Sequence, residues 1–478
     1  MELIKKNKAL IGIIIGVIIC AAMFICPVPE GFTADGWHVL AVLIPVVIIW
    51  ATDAMPVGVA AILFLVVLCV AQLTTPDVAF AGFSSHLTWL MMGAFALSVA
   101  MVQSGLSKRI AYLLLSKAKG MWSIVAVAYI ANFCMVPVPS STARGGALAP
   151  ILDSIMDSLG RPTESNFAKF VTYNFIMATS AWTGFMFLTG GAGNGTVLSF
   201  YQGITGVEVS FIQWLAIMFI PCILFTAASI VISKLLCGKI EPELIEKVKN
   251  VDALKNAYKE LPPMSLTEKK VLAVFVLAIV LWLGGDVIHL SAGYAAVFVC
   301  ALLFLPGIGC LGPKAIGKIN WSIVLVIGSV LGMGSVMTGS GLCDSLTTVV
   351  FNPIINPFYD SLGLVGLSIA VTIICVIVHF LLPSPNEMVV ATPVLLSWGA
   401  TAGLSPEVML AFFCMALAIN DKLVYLSYQM PPYFVYLGMG VTDTKKFNGL
   451  LMKMYIPLAV VMIPVTFVIY GMTCLVGV

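Results

Sequence analysis

Two polar, proline-marked breaks interrupt membrane-length apolar sequence at corresponding points of the two halves of this chain. The first reads Pro139-Ser140-Ser141-Thr142-Ala143-Arg144-Gly145-Gly146 and the second Pro383-Ser384-Pro385-Asn386-Glu387. A bilayer interior tolerates non-helical backbone only where protein buries it or water reaches it, so matched breaks point to a transport site. Hydrophobic residues are 60% of the 478 and charged residues only 10%, against about a quarter charged in an average soluble domain. The solvent of this chain is therefore lipid. No basic patch with interleaved aromatics points to nucleic acid.

The cysteines Cys20, Cys69, Cys222, Cys300, Cys375 and Cys414 stand singly inside apolar runs with no ligand spacing, and read as small packing residues. His38, His86, His289 and His379 are dispersed, so no metal cluster is expected; His379, just before the second break, reads as a satisfied packing residue. Lys5, Lys6 and Lys8 ahead of apolar residues 9–26 imitate a secretory signal, but no small-residue cleavage pattern follows. This segment is read as an uncleaved first helix.

Crossings of about 20 apolar residues are predicted at 9–26, 37–52, 57–73, 87–106, 166–189, 211–233, 268–285, 290–306, 322–340, 406–428 and 450–474. Residues 120–157 and 363–402 each contain a break and are read as re-entrant hairpins. The chain is thus predicted to be an all-α polytopic membrane protein with about eleven transmembrane helices plus two re-entrant hairpins. With the N-terminus inside, Lys108, Arg109, Lys117 and Lys119 and the basic residues of 158–169, 234–270, 312–319 and 442–453 all fall on the cytoplasmic side. The predicted outside loops 27–36, 74–86, 201–210, 286–291, 341–362 and 401–407, and the C-terminus, carry no Lys or Arg but hold acids such as Glu30, Asp77, Glu208 and Asp360. Positive charge resists translocation, which supports an N-terminus inside and a C-terminus outside the cytoplasmic membrane. Between Lys239 and Lys270, the residues Ile240, Leu244, Ile245, Val248, Val251, Leu254 and Ala257 recur at helical spacing, predicting an amphipathic helix on the cytoplasmic surface.

Further landmarks recur. Trp89 followed by Ser104-Gly105-Leu106 is matched by Trp321 followed by Ser340-Gly341-Leu342, about half a chain later. In the topology above the first copy runs outside to inside and the second inside to outside, which is an inverted repeat. The expected division is an N-terminal helix and loop at 1–36, a first repeat at 37–237, a linker at 238–267 and a second repeat at 268–478.

The hydroxyls of Ser140, Ser141 and Thr142 sit where a helix begins, positioned to donate hydrogen bonds to an anion, while carbonyls freed at the break could ligate a hard cation. The plainer account of these hydroxyls is N-capping. Arg144 at membrane depth needs a partner or water. Thr189-Gly190-Gly191-Ala192-Gly193-Asn194-Gly195-Thr196 is expected to unwind the helix before it, the plainer account being an exit turn. Asn420-Asp421-Lys422 and Ser427 through Pro432 interrupt the tenth helix. Glu387 follows the second tip, where it is either a helix-start acid stabilised by the dipole or a group that tunes ion coupling.

The run Pro-Ser-Ser-Thr-Ala-Arg-Gly-Gly with Pro150, and Phe187-Leu188-Thr189-Gly190 through Asn194, resembles the divalent anion/sodium symporter family and its bacterial citrate, tartrate and dicarboxylate carriers. Gly82-Phe83-Ser84, Ser104-Gly105-Leu106 with Lys108-Arg109-Ile110-Ala111, and Tyr436-Leu437-Gly438 extend the resemblance over residues 40–475. The resemblance implies a secondary transporter of di- or tricarboxylates, by sodium symport or anion exchange, with an elevator-like movement and a homodimer. The resemblance implies that Ser140, Ser141 and Thr142 hold substrate and that Gly190 gives a carbonyl to a cation. The full expected set is Ser140, Ser141, Thr142, Arg144, Asn194, Ser384, Asn386 and Ser427 for substrate, and Val136, Ser140, Ser141, Gly190, Pro383, Asn386 and Glu387 for cation binding or coupling. The second tip departs from the family pattern, with Ser384-Pro385-Asn386 where a second Ser-x-Thr is expected. No resident cofactor is expected; sodium is the one candidate ion. An ion antiporter using Asp421, Glu387 and Lys422 is the rival, and the hydroxyl-rich first tip with Arg144 argues against it. An intramembrane enzyme would need a third member beside His379 and Ser384, and none is apparent, so enzymatic activity is not expected.

Overall fold

The computed structural model describes residues 2–52, 54–135, 140–249, 253–381, 386–420 and 431–478. All regular structure among the described residues is helical, and the chain folds as a polytopic membrane protein. His86–Ser104, Phe211–Cys237, Trp321–Gly339, Leu342–Phe380 and Thr444–Val476 are long and apolar enough to cross a membrane, and shorter apolar helices lie among them. Large apolar side chains such as Leu235, Val280, Phe298 and Phe380 are exposed on the outer surface, as expected where lipid replaces water.

The recurring landmarks have the same local geometry in both halves. Gly105 (φ 83°) separates His86–Ser104 from Leu106–Leu115, and Gly341 (φ 74°) separates the helix Trp321–Gly339 from Leu342–Leu346. Both glycines are left-handed, a conformation in which an L side chain costs roughly 1–2 kcal/mol. The Trp89 indole donates to the Phe83 carbonyl at 3.0 Å and the Trp321 indole to the Ile316 carbonyl at 2.9 Å, pinning each helix start to the 3₁₀ turn before it.

The same two helices pack crosswise between halves. His86–Ser104 lies chiefly on Ala292–Phe304, and Trp321–Gly339 on Val57–Val70. Glycine permits the approach: a Cβ at Gly93 would meet the Ala296 carbonyl oxygen at 2.3 Å, and one at Gly58 the Ser322 carbonyl oxygen at 2.1 Å.

One expectation is corrected here. The outside loop expected at 341–362 is helical: Leu342–Leu346 leads through a π-turn, Thr347–Phe351, into Asn352–Leu381, which kinks at Gly363 (φ 57°, ψ −135°). Its polar side chains bond back within the helix, Thr348 to the Asp344 carbonyl and Ser361 to that of Pro357, so a polar composition does not leave the backbone unsatisfied. In the linker, Pro242–Lys249 and Ala253–Lys259 are helical, with residues 250–252 outside the described residues. Ile240, Leu244 and Val248 are buried. Glu241 fastens the linker by accepting from the backbone N–H groups of Asn166 (2.9 Å) and Phe167 (3.0 Å), the start of the helix Asn166–Met177. At the end of the linker, Arg109 grips Glu268 at 2.6 Å and the Pro262 carbonyl at 2.7 Å.

Candidate functional site

The segment expected to form the first hairpin contains the helices Met121–Cys134 and Ser141–Ser158. Val136 lies outside the described residues. Ser140 caps the second leg, its Oγ accepting from the Ala143 N–H at 3.1 Å, so its oxygen serves the helix start. Ser141 is half-buried and Thr142 exposed. Arg144 points the other way, into protein, and is 1% exposed. Its Nη2 donates to the carbonyls of Thr179 at 2.9 Å and Gly190 at 3.1 Å, and its Nε donates to Thr179 at 3.3 Å.

Those carbonyls belong to a helical segment that is broken twice. Asn166–Met177 passes into a π-turn, Ala178–Trp182, and after Thr183–Met186 into a 3₁₀ turn, Leu188–Gly190. A π-turn shifts the hydrogen-bond register, and the Thr179 carbonyl within it accepts from Arg144. The Thr179 hydroxyl bonds the Phe175 carbonyl at 2.7 Å and the Tyr436 hydroxyl at 2.8 Å, linking the site to the helix Pro431–Gly438. Thr179 has no sequence signal, since nothing in its surroundings marks a π-turn. Tyr436 was visible as a landmark without a role.

The glycine-rich segment unwinds over a shorter stretch than the sequence implied. Helix resumes at Ala192 and runs to Thr205, so Gly193, Asn194, Gly195 and Thr196 are helical. Asn194 is fully buried, and its Nδ2 donates to the carbonyls of Gly184 (2.6 Å) and Phe187 (2.9 Å), replacing bonds lost at the break. Thr189 Oγ1 and Asn194 Oδ1 are buried oxygens with no hydrogen-bond partner among the described residues.

In the second half, Pro383, Ser384, Asp421, Lys422 and Ser427 lie outside the described residues, and the Asn386 side chain is not described. Glu387 is in the first turn of the helix Asn386–Thr401 and is fully buried. Its Oε2 is 2.5 Å from His379 Nδ1 on the preceding leg, and His379 is also fully buried. This corrects the reading of His379 as a packing residue: it is the ionisable partner of Glu387. The His379 ring stacks on Tyr455, with centroids 6.3 Å apart. Tyr455 donates to Asn420 Oδ1 at 3.4 Å, and Asn420 Nδ2 donates to the Cys375 carbonyl at 3.0 Å.

Ser140, Arg144, Gly190 and Asn194 thus gather around one broken region, while Glu387 belongs to a second. The helix Ala192–Thr205 packs on Asn386–Thr401 and on the π-turn Leu410–Met415, placing both regions in one bundle.

The family model described as sodium:sulfate symporter, transmembrane region, matches residues 7–476. An uncharacterized transporter of Haemophilus influenzae is 27% identical, covering 93% of each chain. The citrate/succinate antiporter of Escherichia coli is 24% identical over 94% of each. The YdaH transporter of Alcanivorax borkumensis shares the fold, with a TM-score of 0.54 at 14% identity, over 85% of this chain and 87% of that one.

Proposed function

The chain belongs to the sodium:sulfate symporter family, and on that premise we propose that it exchanges di- or tricarboxylate anions across the cytoplasmic membrane. The observation that carries the reading is the placement of Arg144. Its guanidinium is held on the carbonyls of Thr179 and Gly190, directly behind the hydroxyl-bearing tip at Ser140–Thr142. A fixed positive charge behind a helix start draws an anion to the tip, where Ser141, Thr142 and the first N–H groups supply donors.

The exchange mode is in keeping with the Escherichia coli relative named a citrate/succinate antiporter. Gly190, the carbonyl that the family resemblance assigns to a cation, here accepts from Arg144. A sodium-coupled reading has its own support in Thr189 Oγ1 and Asn194 Oδ1, two buried oxygens without a donor among the described residues that suit a hard cation. Movement is taken to be elevator-like, with two protomers supplying the fixed scaffold, the N-terminus inside and the C-terminus outside.

Counterflow of labelled succinate, citrate and tartrate in proteoliposomes, with and without sodium and a pH gradient, is the test. Exchange independent of sodium is the expected result. Uptake only with sodium would favour the second reading, and absence of counterflow for every carboxylate would overturn carboxylate transport.

A further inference from the structure

A cavity of about 260 Å³ opens between the helix His86–Ser104 and the first hairpin. Ser98 and Gln103 line one wall, Ser140 and Ala143 the other, and Lys318 and Asn320 complete it; the remaining lining is apolar, with no acid among the described residues. Lys318 is exposed and makes no ion pair among the described residues. Its backbone is fixed nonetheless. It ends the 3₁₀ turn Pro313–Lys318, which Trp321 pins through Ile316, and Asn320 caps the helix that follows by accepting from the Ile323 N–H.

A wet cleft with apolar walls and one sign of charge focuses its field and concentrates counter-ions. The volume is below the roughly 300–1,000 Å³ of pockets for drug-sized ligands, which suits a small organic anion. Lys318 belongs to the lysine-bearing side of the chain, and the same cavity reaches Ser140 and Ala143 of the tip. We propose that this cavity is the cytoplasmic vestibule of the anion site, with Lys318 as its charge filter. Lys318 takes polyanions from water, and the path leads to Ser140–Thr142. The substrate class rests on the carboxylate reading above; the vestibule rests on the cavity.

Two measurements test it. In the first, counterflow KM is measured from each face, using inside-out and right-side-out vesicles, for the parent and the variants Lys318→Gln, Lys318→Glu and Lys318→Arg. Lys318→Gln should raise the cytoplasmic KM by roughly 3–10-fold, and Lys318→Glu by more, with the external KM and kcat within about 2-fold of the parent. Lys318→Arg should restore the parent value, and added salt should shrink the differences. Equal shifts from both faces, or none, would overturn the filter. In the second, Gln103→Cys is labelled with anionic and cationic methanethiosulfonates, with the native cysteines as background in the parent. Labelling should come from the cytoplasmic face, and adding Lys318→Glu should lower the anionic-to-cationic rate ratio by about 10-fold. A ratio indifferent to residue 318, or labelling from the outer face alone, would overturn the vestibule. This measurement needs no transport. A parent that exchanges no carboxylate while the ratio follows residue 318 would remove the carboxylate reading and leave the vestibule standing.

Discussion

At the residue scale, the hydroxyls and the arginine of the first tip divide their work. Ser140 is committed to the helix start, so Ser140→Ala should lower stability by about 1 kcal/mol. Ser141→Ala and Thr142→Ala should instead weaken apparent substrate affinity, by about 1–3 kcal/mol for each lost donor to a charged group. Affinity unchanged in both, at normal expression, would remove the tip as the anion site. Arg144→Lys keeps the charge, but an ammonium cannot reproduce the guanidinium fork that reaches both Thr179 and Gly190. One buried carbonyl then loses its donor, at roughly 1–3 kcal/mol, and both the melting temperature and the exchange rate should fall. A lysine variant that melts and transports like the parent would show that the fork is dispensable. Glu387→Gln keeps a hydrogen-bonding group near His379 but removes a carboxylate from a fully buried pair. Uptake against pH at fixed sodium should change shape in this variant; dependences on pH and sodium that both match the parent would leave Glu387 as a helix-start acid alone.

At the element scale, the linker is held by Glu241. Burial raises this carboxyl, but the backbone N–H groups of Asn166 and Phe167 together with Lys169 outweigh that and hold it below the usual carboxylate range. A depressed folded-state value means stabilisation that is complete above the unfolded carboxyl's range and is lost as pH falls through the folded one. Melting of the detergent-solubilised protein between about pH 6 and about pH 3 should therefore show a steeper acid loss in the parent than in Glu241→Gln. Equal slopes would mean that the clamp adds nothing. The matched glycines make a second element-scale case, since the left-handed turns at Gly105 and Gly341 recur in both halves. A Cβ at Gly105 meets nothing within 4 Å, so Gly105→Ala isolates the backbone term of roughly 1–2 kcal/mol.

At the scale of the whole molecule, the crosswise packing of each half on the other's short apolar helix makes the two halves one unit, and the two broken regions share a bundle. Removing one half should leave the other without its packing surface, so neither half expressed alone is expected to melt cooperatively. A cooperative transition for residues 37–237 by themselves would contradict this. Crosslinking in native membranes is expected to trap a dimer, and monomer alone would count against a two-protomer scaffold.

The sequence by itself determined the solvent, the family and the positions of the breaks. Apolar run length, the lysine and arginine partition and the Pro-Ser-Ser-Thr-Ala-Arg-Gly-Gly tip are all local signals, and each acts through local physics: transfer into lipid, resistance to translocation, helix starts. Tertiary structure decided where the polar groups at the breaks go. The sequence places Arg144 at membrane depth, but its partners Thr179 and Gly190 lie 35 and 46 residues later, in a π-turn and a 3₁₀ turn that packing brings beside it. His379 and Glu387 look unrelated along the chain, and meet only because two hairpin legs run side by side across a tip. Asn194 reads as part of an unwound loop, yet it repairs the break by donating to carbonyls seven and ten residues earlier. In a bilayer interior a freed backbone group must find a partner, and packing, not the local sequence, sets which one is within reach.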